Sequence, residues 1–241
     1  MSNLRALAAL GLTLPAAVAC GTTPSPADAP STATTATSLR ATGNEPFWRL
    51  DIGPAEMVLL TNFGQTRLVA PTPVAQVEGA TTIYVARAGQ DEFRATVVDR
   101  LCMDSMSGMP HPKTVTVVAG SQALSGCGGE PASLLQGPEW TVAEIAGKPL
   151  LPGSKVTLTF APDGGLSGSA SCNRFVSGYK LSGEGLAVSQ AAGTMMMCGD
   201  ALMEQERIFL EALGKVSGFS IATDGALLLR LADGRTIEAR R

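Results

Sequence analysis

From Leu39 onward the apolar residues fall in short runs broken by turn residues, and residues 155–160 alternate polar and apolar with period two, which predicts strands rather than long helices. In the first stretch, residues 47–52, 57–60, 82–85, 93–98 and 114–118 read as short strands, each bounded by Gly, Pro or Asn turn chemistry. In the second, residues 155–160, 166–169, 186–188, 219–222, 226–231 and 236–239 read the same way. Pro162-Asp163-Gly164-Gly165, Asp224-Gly225 and Asp233-Gly234 supply turns between them. One segment departs from this pattern. Residues 200–213 carry Leu202, Phe209 and Leu213 on one face of a helix, with Asp200 expected to cap its first amides and Gly214 to end it. The expected fold class is mainly β: two small antiparallel β-barrel-like domains, the second with one packed α-helix.

The start of the chain has a different character. Arg5 precedes an apolar run to Ala19 that is too short to span a bilayer as a helix, which takes about 20 residues. It ends Ala17-Val18-Ala19-Cys20, which resembles a lipobox. Residues 1–19 are therefore expected to be a signal peptide, with Cys20 the lipidated first residue of the mature protein. Residues 20–38 are rich in Thr, Pro, Ser and Ala and cannot bury a core; they are expected to be a flexible tether. An N-terminal β domain is expected over 39–130, then a short linker at Glu130-Pro131-Ala132-Ser133, and a second domain over 134–241.

Charge and cysteine content narrow the partners. A formal net charge of -3 argues against binding a phosphate backbone, so no nucleic acid is expected. The chain has 5 cysteines, and setting Cys20 aside leaves Cys102, Cys127, Cys172 and Cys198, for which three pairings exist. The two local pairings, Cys102 with Cys127 and Cys172 with Cys198, each fall within one half and are the expected ones. Bridges closing loops of that size contribute about 3 kcal/mol each in an oxidising compartment.

Several marks recur in known families. Trp140, Leu166-x-Gly168, Cys172-Asn173-Arg174-Phe175, Gly178-Tyr179, Thr194-Met195-Met196-Met197-Cys198, the Glu-rich helix and a closing Leu-rich hairpin together resemble the META domain of HslJ-like heat-shock lipoproteins. The resemblance implies a small barrel-like antiparallel domain with one helix and a link to envelope stress, and it implies no established chemistry. Gly43-Asn44-Glu45-Pro46-Phe47-Trp48, with Cys102-x-Asp104-x-Met106-Ser107 and Gly126-Cys127, resembles an uncharacterised family of envelope lipoprotein domains. Ser105 stands where that family's pattern has Gly.

Candidate chemistry is sparse. Met103, Met106 and Met109, with His111 close behind, form a set of soft donors suited to Cu(I); their structural alternative is a turn whose methionines fill gaps in a core. Met195-Met196-Met197 is weaker as a metal site, because neighbours on a strand point to opposite faces. Asn44 and Glu45, and Asn173 and Arg174, are the candidate ligand-binding pairs, each weighed against a role in satisfying turns. Ser177-Gly178-Tyr179-Lys180 spells S-x-x-K, but in a turn and without its partner motifs. No catalytic set and no cofactor is expected. The expected function is a non-catalytic, stress-linked binding or structural lipoprotein, on the outer membrane facing the periplasm. Its partners would be the membrane, through the lipid anchor, and an envelope protein. Copper handling and inhibition of a cell-wall hydrolase such as lysozyme are the alternatives.

Overall fold

The computed structural model describes residues 38–241. The expected signal peptide, Cys20 and the tether up to residue 37 lie outside the described residues. The fold is mainly β, with two barrel-like sheets, a half-barrel and a nearly closed barrel.

The first sheet comes from β1 (Leu39–Asn44), β2 (Phe47–Ile52), β3 (Glu56–Thr61), β4 (Thr66–Pro71), β5 (Gln76–Glu78), β6 (Thr81–Ala88), β7 (Asp91–Val98), β10 (Lys113–Ala119) and β11 (Gln122–Gly128). Two short strands, β8 (Cys102–Met103) and β9 (Pro110–His111), form a separate ribbon within the β7–β10 connection. The spatial order is β4-β3-β2-β1-β11-β10-β7-β6-β5, every pair antiparallel. Alternation places Trp48, Leu50 and Ile52 of β2 inside, as the period-two pattern requires, while Arg49 and Asp51 stay nearer solvent. Phe93, Ala95, Val115 and Val117 close the same core from the other side. At the hairpin turns the pairs Asn44–Phe47, Thr61–Thr66, Ala88–Asp91 and Ala119–Gln122 face each other, and the register gathers all four at one end of the half-barrel.

The second sheet runs β12 (Trp140–Ile145), β13 (Lys148–Pro149), β14 (Thr157–Phe160), β15 (Gly165–Ser169), β16 (Arg174–Ser182), β17 (Gly185–Val188), β18 (Ala192–Gly193), β19 (Val216–Ile221), β20 (Leu227–Leu231) and β21 (Thr236–Arg240). Its main path is β17-β16-β15-β14-β12-β21-β20-β19. The ends β17 and β19 lie side by side without a hydrogen-bonded ladder. Gly185 permits this approach: its φ is +129°, and a Cβ there would stand 2.1 Å from the Ser217 carbonyl oxygen.

Among the described residues two α-helices complete the fold. The expected linker at 130–133 runs into a short helix, α1 (Ala132–Leu135), whose Leu135, already in the expected second domain, is wholly buried in the second core. The long helix, α2 (Asp200–Leu213), packs Phe209 and Leu213 into the same core, with Phe209 edge-on to Phe175 at 5.7 Å between ring centroids. Asp200 does not cap it. The N-cap is Gly199, without a side-chain hydrogen bond, and Asp200 is the first helical residue.

Candidate functional site

In the first sheet the two motifs that sequence reading set sixty residues apart are one assembly. Asn44, at the end of β1, donates from Nδ2 to Asp104 Oδ2 at 2.9 Å and to Ser105 Oγ at 2.9 Å. Asp104 Oδ1 in turn accepts the Ser107 hydroxyl at 2.6 Å and the backbone N–H groups of Ser107 and Met106 at 2.7 and 3.2 Å. Burial acts to raise the Asp104 pKa, but the hydrogen bonds from Ser107, Asn44 and Met106 outweigh it and hold the carboxyl down at about 2. It is therefore a fixed anion organising a loop, not a group poised to exchange protons near neutrality.

Trp48 is buried beside this assembly, its indole N–H donating to the Ser125 carbonyl at 3.2 Å. The glycines around it are dictated by contact. A Cβ at Gly43 would lie 2.1 Å from Trp48 Nε1, and one at Gly126 would lie 2.1 Å from the Thr42 carbonyl oxygen. The Cys102–Cys127 disulfide, Cα–Cα 5.4 Å, pins the loop to β11. Glu45 is exposed in the β1–β2 turn, and Phe47 beside it is partly exposed and stacked on Phe63 at 5.9 Å.

The second sheet repeats this construction. Asn173 is buried between α2 and the 194–196 loop. Its Oδ1 accepts the Met196 N–H and the Thr194 hydroxyl, both at 2.7 Å, and its Nδ2 donates to the Met196 carbonyl at 3.2 Å. Glu206 of α2 backs it, accepting the Asn173 side-chain amide at 2.9 Å and its backbone N–H at 2.6 Å. Its neighbour Gln205 accepts the Leu151 N–H at 2.7 Å and donates to Ser154 and Ser171 hydroxyls at 2.8 and 3.0 Å. The Cys172–Cys198 disulfide, Cα–Cα 6.0 Å, ties the strand entry to the start of α2. Arg174 is exposed, and its backbone N–H donates to Thr194 Oγ1 at 3.2 Å. Gln205 and Glu206 stand three and four residues after Leu202, on the face that carries Phe209 and Leu213, so helical spacing places them inward; only their polarity sets them apart from the core.

Trp140 donates its indole N–H to the Leu135 carbonyl at 2.8 Å, and the Arg241 guanidinium lies 3.9 Å from its ring centroid. Residues 133–241 match the family model of the META domain. The C-terminal half of the chain is a META domain. Such a domain fits an envelope or stress-associated protein. Two solved structures are similar to this chain. An NMR structure of a protein from Burkholderia xenovorans is 26% identical, covering 46% of this chain and 85% of that one, with a TM-score of 0.39. A second NMR structure is 27% identical, covering 45% of this chain and 92% of that one, with a TM-score of 0.38. No curated protein matches the chain.

Other expectations need correction. The four soft donors do not assemble as a set: Met106 stands in solvent at 80% exposure, whereas Met109, at 8%, is built into the core of the META domain. Met103 pairs opposite Pro110 and His111 opposite Cys102 in the β8–β9 ribbon, and His111 Nδ1 is 2.9 Å from the Gly129 carbonyl. Among the described residues no group of three or more His, Cys, Asp or Glu side chains could hold a metal ion. Ser177 and Lys180 lie within β16, not in a turn, and three residues apart on a strand they point to opposite faces. Met195, Met196 and Met197 lie in no strand but in the loop between β18 and α2.

The hairpin end of the half-barrel is open to a ligand. A cavity of about 660 Å³ opens there. Leu59 and Leu68 line it with Thr61 and Thr66, and Asp91, Arg94 and Gln122 stand at its edge. Glu92, also on the lining, is paired with Arg87 at 2.9 Å.

Proposed function

We propose that this protein is a non-catalytic binding module of the cell envelope, with the open end of the N-terminal half-barrel as its ligand site and the META domain as its structural partner. The cavity of about 660 Å³ between β3, β4, β7 and the β10–β11 turn carries this reading. It combines an apolar floor with a few convergent polar groups, the usual make-up of a small-ligand site. The motif residues support it from the other direction. Asn44, Asp104, Asn173 and Glu206 spend their hydrogen-bonding capacity on the protein itself, so they serve as scaffold. In this reading Cys20 carries the lipid, and the tether holds both sheets at the outer membrane, facing the periplasm.

The test uses the mature chain, isotope-labelled, with soluble cell-wall glycan and peptide fragments as probes. Amide shifts confined to Thr61, Thr66, Arg94 and Gln122, weakened about tenfold by Arg94→Ala, are the expected result, since one charged hydrogen bond contributes roughly that much. Shifts elsewhere with these amides silent, or turnover of any fragment, would count against the proposal. Stoichiometric protein that slows lysozyme would favour the inhibitor reading instead. Cu(I) binding that survives Met103→Leu and Met106→Leu would remove the copper reading from those residues.

A further inference from the structure

Both halves of the molecule hold a methionine-bearing loop in the same way. In the META domain, Met195 is 98% exposed, Met196 55% and Met197 93%. An apolar side chain left in water gains nothing for stability, and three in succession form an exposed thioether surface. The loop is nevertheless fixed. Asn173 binds both the N–H and the carbonyl of Met196, and the Cys172–Cys198 bridge closes the loop at its end. In the loop between β8 and β9, Met106 is 80% exposed; Asp104 accepts its backbone N–H, and the Cys102–Cys127 bridge braces the loop.

The chemistry of the clamps sets these thioethers apart. The groups that hold the loops are amides, hydroxyls, carboxylates and disulfides. A free thiol nearby would consume an oxidant first, but all four of these cysteines are already bridged. The exposed thioether sulfurs are then the most readily oxidised side chains in either loop. Because they pack against little, conversion to the larger, polar sulfoxide leaves the cores intact. The buried Met57 and Met109 are shielded.

We propose that Met195 and Met197, with Met106 in the β8–β9 loop, are reversible oxidation sites that consume two-electron oxidants of the hypochlorous acid class. Each sulfur gives up two electrons and gains one oxygen. The O–Cl bond breaks, chlorine leaves as chloride, and one proton is released. A dithiol-dependent methionine sulfoxide reductase returns the thioether, releasing the oxygen as water while the dithiol becomes a disulfide.

The experiment treats the mature, non-reduced protein with two equivalents of hypochlorous acid and maps sulfoxide by fragment-resolved mass spectrometry. Sulfoxide at Met195, Met197 and Met106 should exceed that at Met57 and Met109 by about tenfold or more, with an unchanged thermal midpoint and recovery by methionine sulfoxide reductase. A Met195→Leu/Met197→Leu variant should fold equally well and, with oxidant raised until uptake by the exposed thioethers levels off, take up two fewer oxygens than the natural protein. Oxidation spread evenly over all methionines, loss of the fold on oxidation, or sulfoxide that the reductase cannot remove would each overturn the proposal.

Discussion

Asn173 and Glu206, 33 residues apart in sequence, meet twice: the Asn173 backbone N–H donates to Oε2 at 2.6 Å and its side-chain amide to Oε1 at 2.9 Å. Both residues are buried, so neither can exchange its partner for water at no cost. Through Asn173 the carboxylate of α2 reaches the Thr194 hydroxyl and the Met196 backbone, and the helix is thereby joined to the loop that precedes it. Asn173→Ala removes the bridge and leaves the Met196 N–H and one Glu206 oxygen short of partners. Urea denaturation should show a loss of about 2–3 kcal/mol, the scale of buried groups left unsatisfied. A loss below about 0.5 kcal/mol, the scale of a surface substitution, would mean the network is ornamental.

Asp104 gives the molecule a specific acid sensitivity. Its folded pKa of about 2 lies below the ordinary value of 3.8. A depressed carboxylate contributes stability that is present above its unfolded pKa and is lost as pH falls through the folded one. The window therefore runs from about pH 4 down to about pH 2. Because the group is partly exposed, solvent screening holds the contribution to about 1 kcal/mol. Asp104→Asn should be less stable than the natural protein at pH 6, and the gap should narrow by pH 2.5. Equal gaps at both pH values, measured by urea denaturation, would show that the ionised form of Asp104 has no preferred role in the fold.

How much of this was readable beforehand follows from the kind of signal each feature leaves. The α2 helix and strands such as β2 and β20 were legible because their periodicity is strong and their boundaries carry Gly, Asp or Pro. The two bridges were legible from cysteine number and spacing. Strands β1, β4, β11, β12 and β16 were missed. β11 and β16 contain glycines that weaken the pattern, and β1 begins at the edge of the polar tether. Only the first half of α1, Ala132 and Ser133, falls in the expected linker; four residues carry no period that would reveal a helix, and Leu134 and Leu135 fall in the expected second domain. The candidate site was less legible than the fold. Asn44 and Asp104 meet only in the folded chain, and Gln205 and Glu206, though spaced for the inner face of α2, are polar residues that a hydrophobic pattern does not pick out. The cavity at the hairpin end is made by three turns brought together, β3–β4, β6–β7 and β10–β11, and no local segment encodes that meeting.

The tryptophan of the first core offers a test of close packing. Gly43 and Gly126 leave room for the Trp48 ring, and a methyl group at Gly43 would overlap both Trp48 Nε1 and the Ser125 carbonyl that accepts its hydrogen bond. Gly43→Ala must displace the ring or the β1–β11 pairing. A loss of about 3 kcal/mol is expected, in the upper range for overpacking. The Trp48 emission should shift to the red as its indole gains water. Unchanged emission together with unchanged stability would show that the ring has space to move.

Met109 belongs by chain to one half of the molecule and by packing to the other. It leaves the β8–β9 ribbon, a part of the chain braced by the first disulfide, yet it is buried in the core of the META domain. Truncating it creates a cavity in a core to which its own sheet does not belong. Met109→Ala should cost about 3 kcal/mol, as for other large-to-small changes in a core. The two tryptophans, one in each core, can report which half feels it. In a Trp48→Phe background, Trp140 fluorescence should show the urea midpoint falling with Met109→Ala. In a Trp140→Phe background, Trp48 should show a smaller change if the halves unfold separately and the same change if they unfold as one unit. A Trp140 transition that stays in place would remove Met109 from the META core.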